Sequence, residues 1–125
     1  MDKTSLVGFD IASGSQVVSA LDHAGIKPKV ALWMSSPEYE EGRLVLSSSD
    51  LDQSKPLHAY EQVAKVLQSS FRYMPPPILI LPTRSSFVKA LRDRFGKASS
   101  VEGMRLGGQT FGDRFVSDAY VYRIR

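Results

Sequence analysis

The turn Thr83-Arg84-Ser85-Ser86 is the stretch of this chain best equipped for chemistry. It follows an apolar run that reads as a strand and precedes a helical pattern. Helix-terminal N–H groups, hydroxyls and a guanidinium can therefore converge on one anion, making these four residues an anion-binding candidate. The same serines serve equally well as a helix cap, which needs no ligand. Beyond them come Lys89, Arg92, Arg94, Lys97 and Arg105, a candidate set for meeting the phosphates of a nucleic acid. Lys89 and Arg92 can share a helix face, whereas Arg94 points elsewhere.

Other templates match only in part. Asp50, Asp52, Ser54, Leu57 and Glu61 fall at calcium-loop spacing, but Lys55 stands where that loop needs glycine. Ser54 as a cap, with Pro56 in the first helical turn, accounts for the same residues. His58 and Glu61 are spaced as two ligands would be, and two ligands do not make a metal site. No Gly-x-Ser-x-Gly elbow is present, and Leu91 occupies the position where a phosphate loop ending at Gly96-Lys97 would need its first glycine. No catalytic residues, metal or cofactor are assigned.

Alternation along strands groups Trp33 with Ala31, Arg43 with Val45, and Tyr120 with Tyr122. If those faces coincide and lie open, Trp33, Arg43, Tyr120 and Tyr122 make an aromatic and basic interface for a second subunit or for single-stranded bases. Beneath a helix, the same residues are core.

These residues sit in a chain of 125 residues, 42% hydrophobic and 23% charged, which is ordinary globular usage and enough for one core without disulfides or structural metal. The absence of cysteine excludes thiolate zinc sites and cysteine nucleophiles and suits a reducing compartment. No stretch has the length of a signal-peptide core or a membrane span, so the expectation is a soluble, cytoplasmic protein that meets no membrane. Net charge is +3, but residues 1–62 hold five Lys/Arg against nine Asp/Glu, and residues 63–125 hold eleven against four. That split favours an anionic partner for the second half, or contact between two copies.

The elements that position these residues read as follows. A helix spans 13–24, with Ser13 and Gln16 as a capping box and Gly25 as its stop. Strands at 30–34 and 43–46 form a hairpin across a long loop, 35–42. A turn-forming linker, 50–56, leads into a helix with the stripe Leu57, Tyr60, Val63, Ala64, Leu67 and Phe71. Pro75-Pro76-Pro77 ends it, and Ile78-Leu79-Ile80-Leu81 predicts a central strand buried on both faces. A helix from Ser85 or Ser86 to Gly96 follows, then a glycine-punctuated terminal hairpin ending in the strand 119–124. The fold class is α+β: a mixed, mainly antiparallel sheet of about five strands with about three helices, in the order α-β-β-α-β-α-β-β, as one domain over 1–125.

Three stretches carry a resemblance: Ala31-Leu32-Trp33-Met34-Ser35-Ser36-Pro37-Glu38, Arg43-Leu44-Val45-Leu46, and Gly103-Met104-Arg105-Leu106 through Asp118-Ala119-Tyr120-Val121-Tyr122-Arg123. Together they resemble a family of small bacterial proteins of this length with no assigned function. The resemblance implies a bacterial, stand-alone domain and transfers no catalytic motif. The expected function is a non-catalytic interaction module binding a protein partner or itself. The alternatives are a nucleic-acid-binding protein and a small enzyme acting on an anionic substrate.

Overall fold

Every residue of β1 (Val30–Ser36) is buried, which requires a sheet covered on both faces. The computed structural model describes residues 8–37, 39–52, 55–70, 76–98 and 100–125. In chain order, β1 is preceded by α1 (Gly8–His23) and followed by β2 (Tyr39–Ser47), α2 (Ser49–Asp52), α3 (Pro56–Ser70) and β3 (Ile78–Ile80). Then come α4 (Ser86–Phe95), β4 (Arg105–Leu106), β5 (Gln109–Phe111), β6 (Arg114–Val116) and β7 (Asp118–Ile124). The class is α+β, with a five-stranded mixed sheet in the order β3-β2-β1-β7-β4 and a two-stranded β5-β6 piece. All neighbours are antiparallel except β2 and β3.

The period of two along the strands divides the core into two halves. Leu32, Met34, Val45 and Val121 face α4 and the β5-β6 piece, meeting Phe87, Val88, Leu91, Phe111 and Val116. Ala31, Trp33, Leu44 and Leu46 face α1 and α3, meeting Val17, Leu21, Val63 and Leu67. Gly14 lets α1 settle onto that second face, because a Cβ there would collide with the Tyr122 ring and Trp33 Nε1.

The strands β4 to β7 form one ribbon. Arg105 and Leu106 stand opposite Tyr120 and Ala119, and Gln109, Thr110 and Phe111 stand opposite Val116, Phe115 and Arg114, so the register runs unbroken from sheet to tip. The ribbon bends at Gly107-Gly108, where the Gly108 N–H donates to the Ser117 carbonyl and Ser117 N–H to that of Ser35. Its tip folds back onto α4. Gly112, at φ 60°, opens the two-residue turn and lies against the first turn of α4.

Several expectations need correction. α1 begins five residues before Ser13, so Ser13 lies inside the helix and caps nothing. Its stop is as expected: Gly25 has φ 84°, with Ile26 N–H bonded to Leu21 O and Gly25 N–H to Asp22 O. The predicted loop over 35–42 is largely strand, since β1 runs to Ser36 and pairs with Tyr39. The linker holds the short helix α2, whose Leu51 is buried. The strand expected at the centre, β3, is an edge strand. Its apolar run reports helices on both sides of the sheet, with Leu79 facing one half of the core and Ile78 and Ile80 the other. Cover on both faces says nothing about neighbours in the plane. Phe71 and Pro75 lie outside the described residues.

Candidate functional site

At the 83–86 turn, the donors meet carboxylates of the chain itself. Thr83 N–H donates to Asp52 Oδ1 at 3.0 Å, and its hydroxyl donates to Asp52 Oδ2. Ser85 caps α4, accepting from Val88 N–H at 3.3 Å. The Ser86 hydroxyl donates to Asp113 at the ribbon tip, 2.9 Å away. Two internal carboxylates thus stand at the helix entrance where an external anion would sit. Arg84 is exposed and makes no ion pair among the described residues. It edges a small cleft floored by Leu51, Ala59, Ile80 and Leu81.

Of the basic candidates, three have intramolecular partners. Arg92 Nε donates to the Arg125 carbonyl at 2.6 Å. Arg94 donates to Gln109 and lies 5.5 and 5.9 Å from the Phe95 and Phe111 ring centroids, locking α4 against β5. Arg105 pairs with Asp118 at 2.6 Å. Lys89 and Lys97 are exposed. The layer built from α4 and the ribbon tip also presents Phe115, 45% exposed, on the outward side of the ribbon opposite Thr110.

The four sheet residues are split between the two faces. Trp33, Tyr120 and Tyr122 share the face beneath α1, where Trp33 is buried and the Tyr122 hydroxyl donates to Ile11 O at 2.6 Å. Arg43 stands opposite Met34, on the other face. They do not make one open platform, because a helix covers the aromatic side.

Among the described residues, the ionisable pair with shifted pKa values is one that the sequence does not single out. Arg123 holds Asp22 through two parallel bonds, 3.0 and 2.8 Å, and also donates to Pro28 O at 3.2 Å. This fork keeps the Asp22 carboxyl below its ordinary pKa; partial burial opposes it, and charge attraction from Arg123 adds to it. The guanidinium is raised in turn, chiefly by its hydrogen bonds to Asp22. The pair forms one wall of a groove of about 480 Å³, with Ser15, Ser19, Glu102 and Tyr122 around it.

A bulge creates this pair. Leu32 stands opposite Val121 and Ala31 opposite Arg123, so Tyr122 is an extra residue in β7 and Arg123 is turned to the α1 side. Strict alternation along 119–124 would aim Arg123 at the α4 side. The only local hint is a cation inside an apolar strand, and its partner lies 101 positions away. No protein-family model, curated protein or solved structure matches the chain.

Proposed function

We propose that the protein is a non-catalytic interaction module of the bacterial cytoplasm that holds an acidic protein partner on the layer formed by α4 and the ribbon tip. The observation that carries this reading is Phe115, a large aromatic side chain 45% exposed on a hairpin fixed to α4 through Asp113, Gln109 and Phe111. Aromatic anchors on rigid supports dominate protein interfaces, whereas leucine, as at the exposed Leu57, is under-represented among such anchors. The segment 84–97, which contains α4, holds five cations and one carboxylate, Asp93, and the exposed Arg84, Lys89 and Lys97 among them favour an acidic surface and speed encounter with it. The engagement of Arg92, Arg94 and Arg105 within the fold favours a protein partner over a nucleic acid, which draws its affinity from many free cations.

The test is fluorescence anisotropy of a labelled acidic, leucine-containing peptide and a labelled mixed-sequence oligonucleotide, each at low and high salt, beside light scattering of the protein alone. The expected result is salt-sensitive peptide binding that weakens about tenfold in Phe115→Ser, with little binding of the oligonucleotide. Oligonucleotide binding indifferent to Phe115→Ser would overturn the reading in favour of nucleic acid. A salt-resistant dimer lost in Phe115→Ser would make a second copy the partner.

A further inference from the structure

We infer that the cleft edged by Arg84 is a pocket for one apolar side chain of a partner peptide, with the neighbouring acidic residue of that peptide held by the Arg84 guanidinium. The inference rests on the reading of an acidic partner and names what that partner inserts.

The cleft measures about 100 Å³. Pockets for whole small molecules run to roughly 300–1,000 Å³, so this one accommodates a branched side chain rather than a metabolite. Leu51, Ala59, Ile80 and Leu81 line it between Pro56 and Pro82. Among the described residues, the polar groups that reach it have intramolecular partners, apart from one. Asp52 turns both carboxylate oxygens to Thr83. The Tyr60 hydroxyl accepts from Ile80 N–H at 2.9 Å. That bond also closes the outer edge of β3 at Ile80 to strand addition, so a partner is read there through its side chains and not by extending the sheet. Arg84 is the remaining group, exposed and without an ion pair among the described residues. An apolar hole with a single uncommitted cation at its rim complements an apolar side chain followed by a carboxylate.

The experiment is an NMR titration of the uniformly ¹⁵N-labelled full chain with acetyl-Leu-Glu-amide, acetyl-Ala-Glu-amide and acetyl-Leu-Gln-amide. Shifts are expected at the amides of Leu51, Ala59, Ile80 and Arg84. Affinity falls about tenfold when leucine becomes alanine. It falls about two- to fivefold when glutamate becomes glutamine or when the exposed Arg84 is changed in Arg84→Gln. Equal affinity for the leucine and alanine peptides, or shifts confined to other residues, overturns the pocket. If 4-methylpentanoate alone competes as well as acetyl-Leu-Glu-amide, the site belongs to a small carboxylic acid and the peptide assignment falls. Failure of the broader reading is separate, being read from the anisotropy of the longer acidic peptide and its indifference to Phe115→Ser.

Discussion

Replacing Gly112 by alanine should undo the docking of the ribbon tip, and the structure allows the cost to be built from two parts. At φ 60° an L-residue carries a backbone penalty of about 1–2 kcal/mol. The added Cβ would also lie 2.5 Å from Ser86 C and O and 2.7 Å from Phe87 N. Those are backbone atoms of the first turn of α4, so no rotamer change relieves the clash, and overpacking of this kind costs about 1–3 kcal/mol. The sum, about 2–5 kcal/mol, is a large share of the stability of a small domain and corresponds to a fall in Tm of roughly 4 °C per kcal/mol. Gly25→Ala is the matched control, since Gly25 also has a positive φ, 84°, and a Cβ there meets nothing within 4 Å. Urea denaturation of both variants, followed by circular dichroism, should show Gly112→Ala the weaker by at least 1 kcal/mol. Equal losses would mean that the tip does not rest on α4, and the layer assigned to partner binding would lose its rigidity.

Three further outcomes follow from the same contacts. The stabilisation from a carboxylate with a depressed pKa is fully present above its unfolded value, near 4, and is lost as pH falls through the lower folded value. The stability gap between wild type and Asp22→Asn, about 1 kcal/mol at neutral pH, should therefore be flat above about pH 5 and close in acid; a gap that widens in acid would refute the assignment. Asp52→Ala should cost about 2 kcal/mol in chemical denaturation. A double-mutant cycle with Thr83→Val should show coupling of about 1 kcal/mol, whereas additive losses would remove Asp52 from the turn. Phe87→Ala, at a fully buried site 6.4 Å edge-on from Phe111, should cost about 3–5 kcal/mol by the same measurement, against below about 0.5 kcal/mol for Lys89→Ala on the same helix.

Legibility in the sequence followed the range of the interactions. The helix α3 itself, the Ser85 cap and the Gly25 stop depend on neighbours a few positions away, and each is found near its expected place. The stripe holds at Val63 and Leu67, but Leu57 and Ala64, expected on it, are exposed and Ala59 is buried instead. The edge position of β3 and the cover over Trp33 depend on which elements come together from afar, which periodicity does not encode. The anion-binding turn is instructive in the same way. Its donors were readable at 83–86, but the carboxylates that take them, Asp52 and Asp113, lie 31 and 27 positions away. Asp22 and Arg123 were harder still, because a single extra residue in β7 reverses the face on which Arg123 emerges.

The place of β7 in the sheet also has a consequence for synthesis. β1 lies between β2, its near neighbour in the chain, and β7, whose Ile124 pairs with Val30. While a ribosome extends the chain, Val30 to Met34 can gain one flank early, but the other stays open until about ninety more residues have been joined. During that interval an apolar strand presents unpaired N–H and C=O groups to whatever strand comes near, including the same segment of a neighbouring nascent chain. Fragments stopped before residue 118 keep that flank permanently, and they are the products of this gene expected to aggregate or to be cleared by proteases.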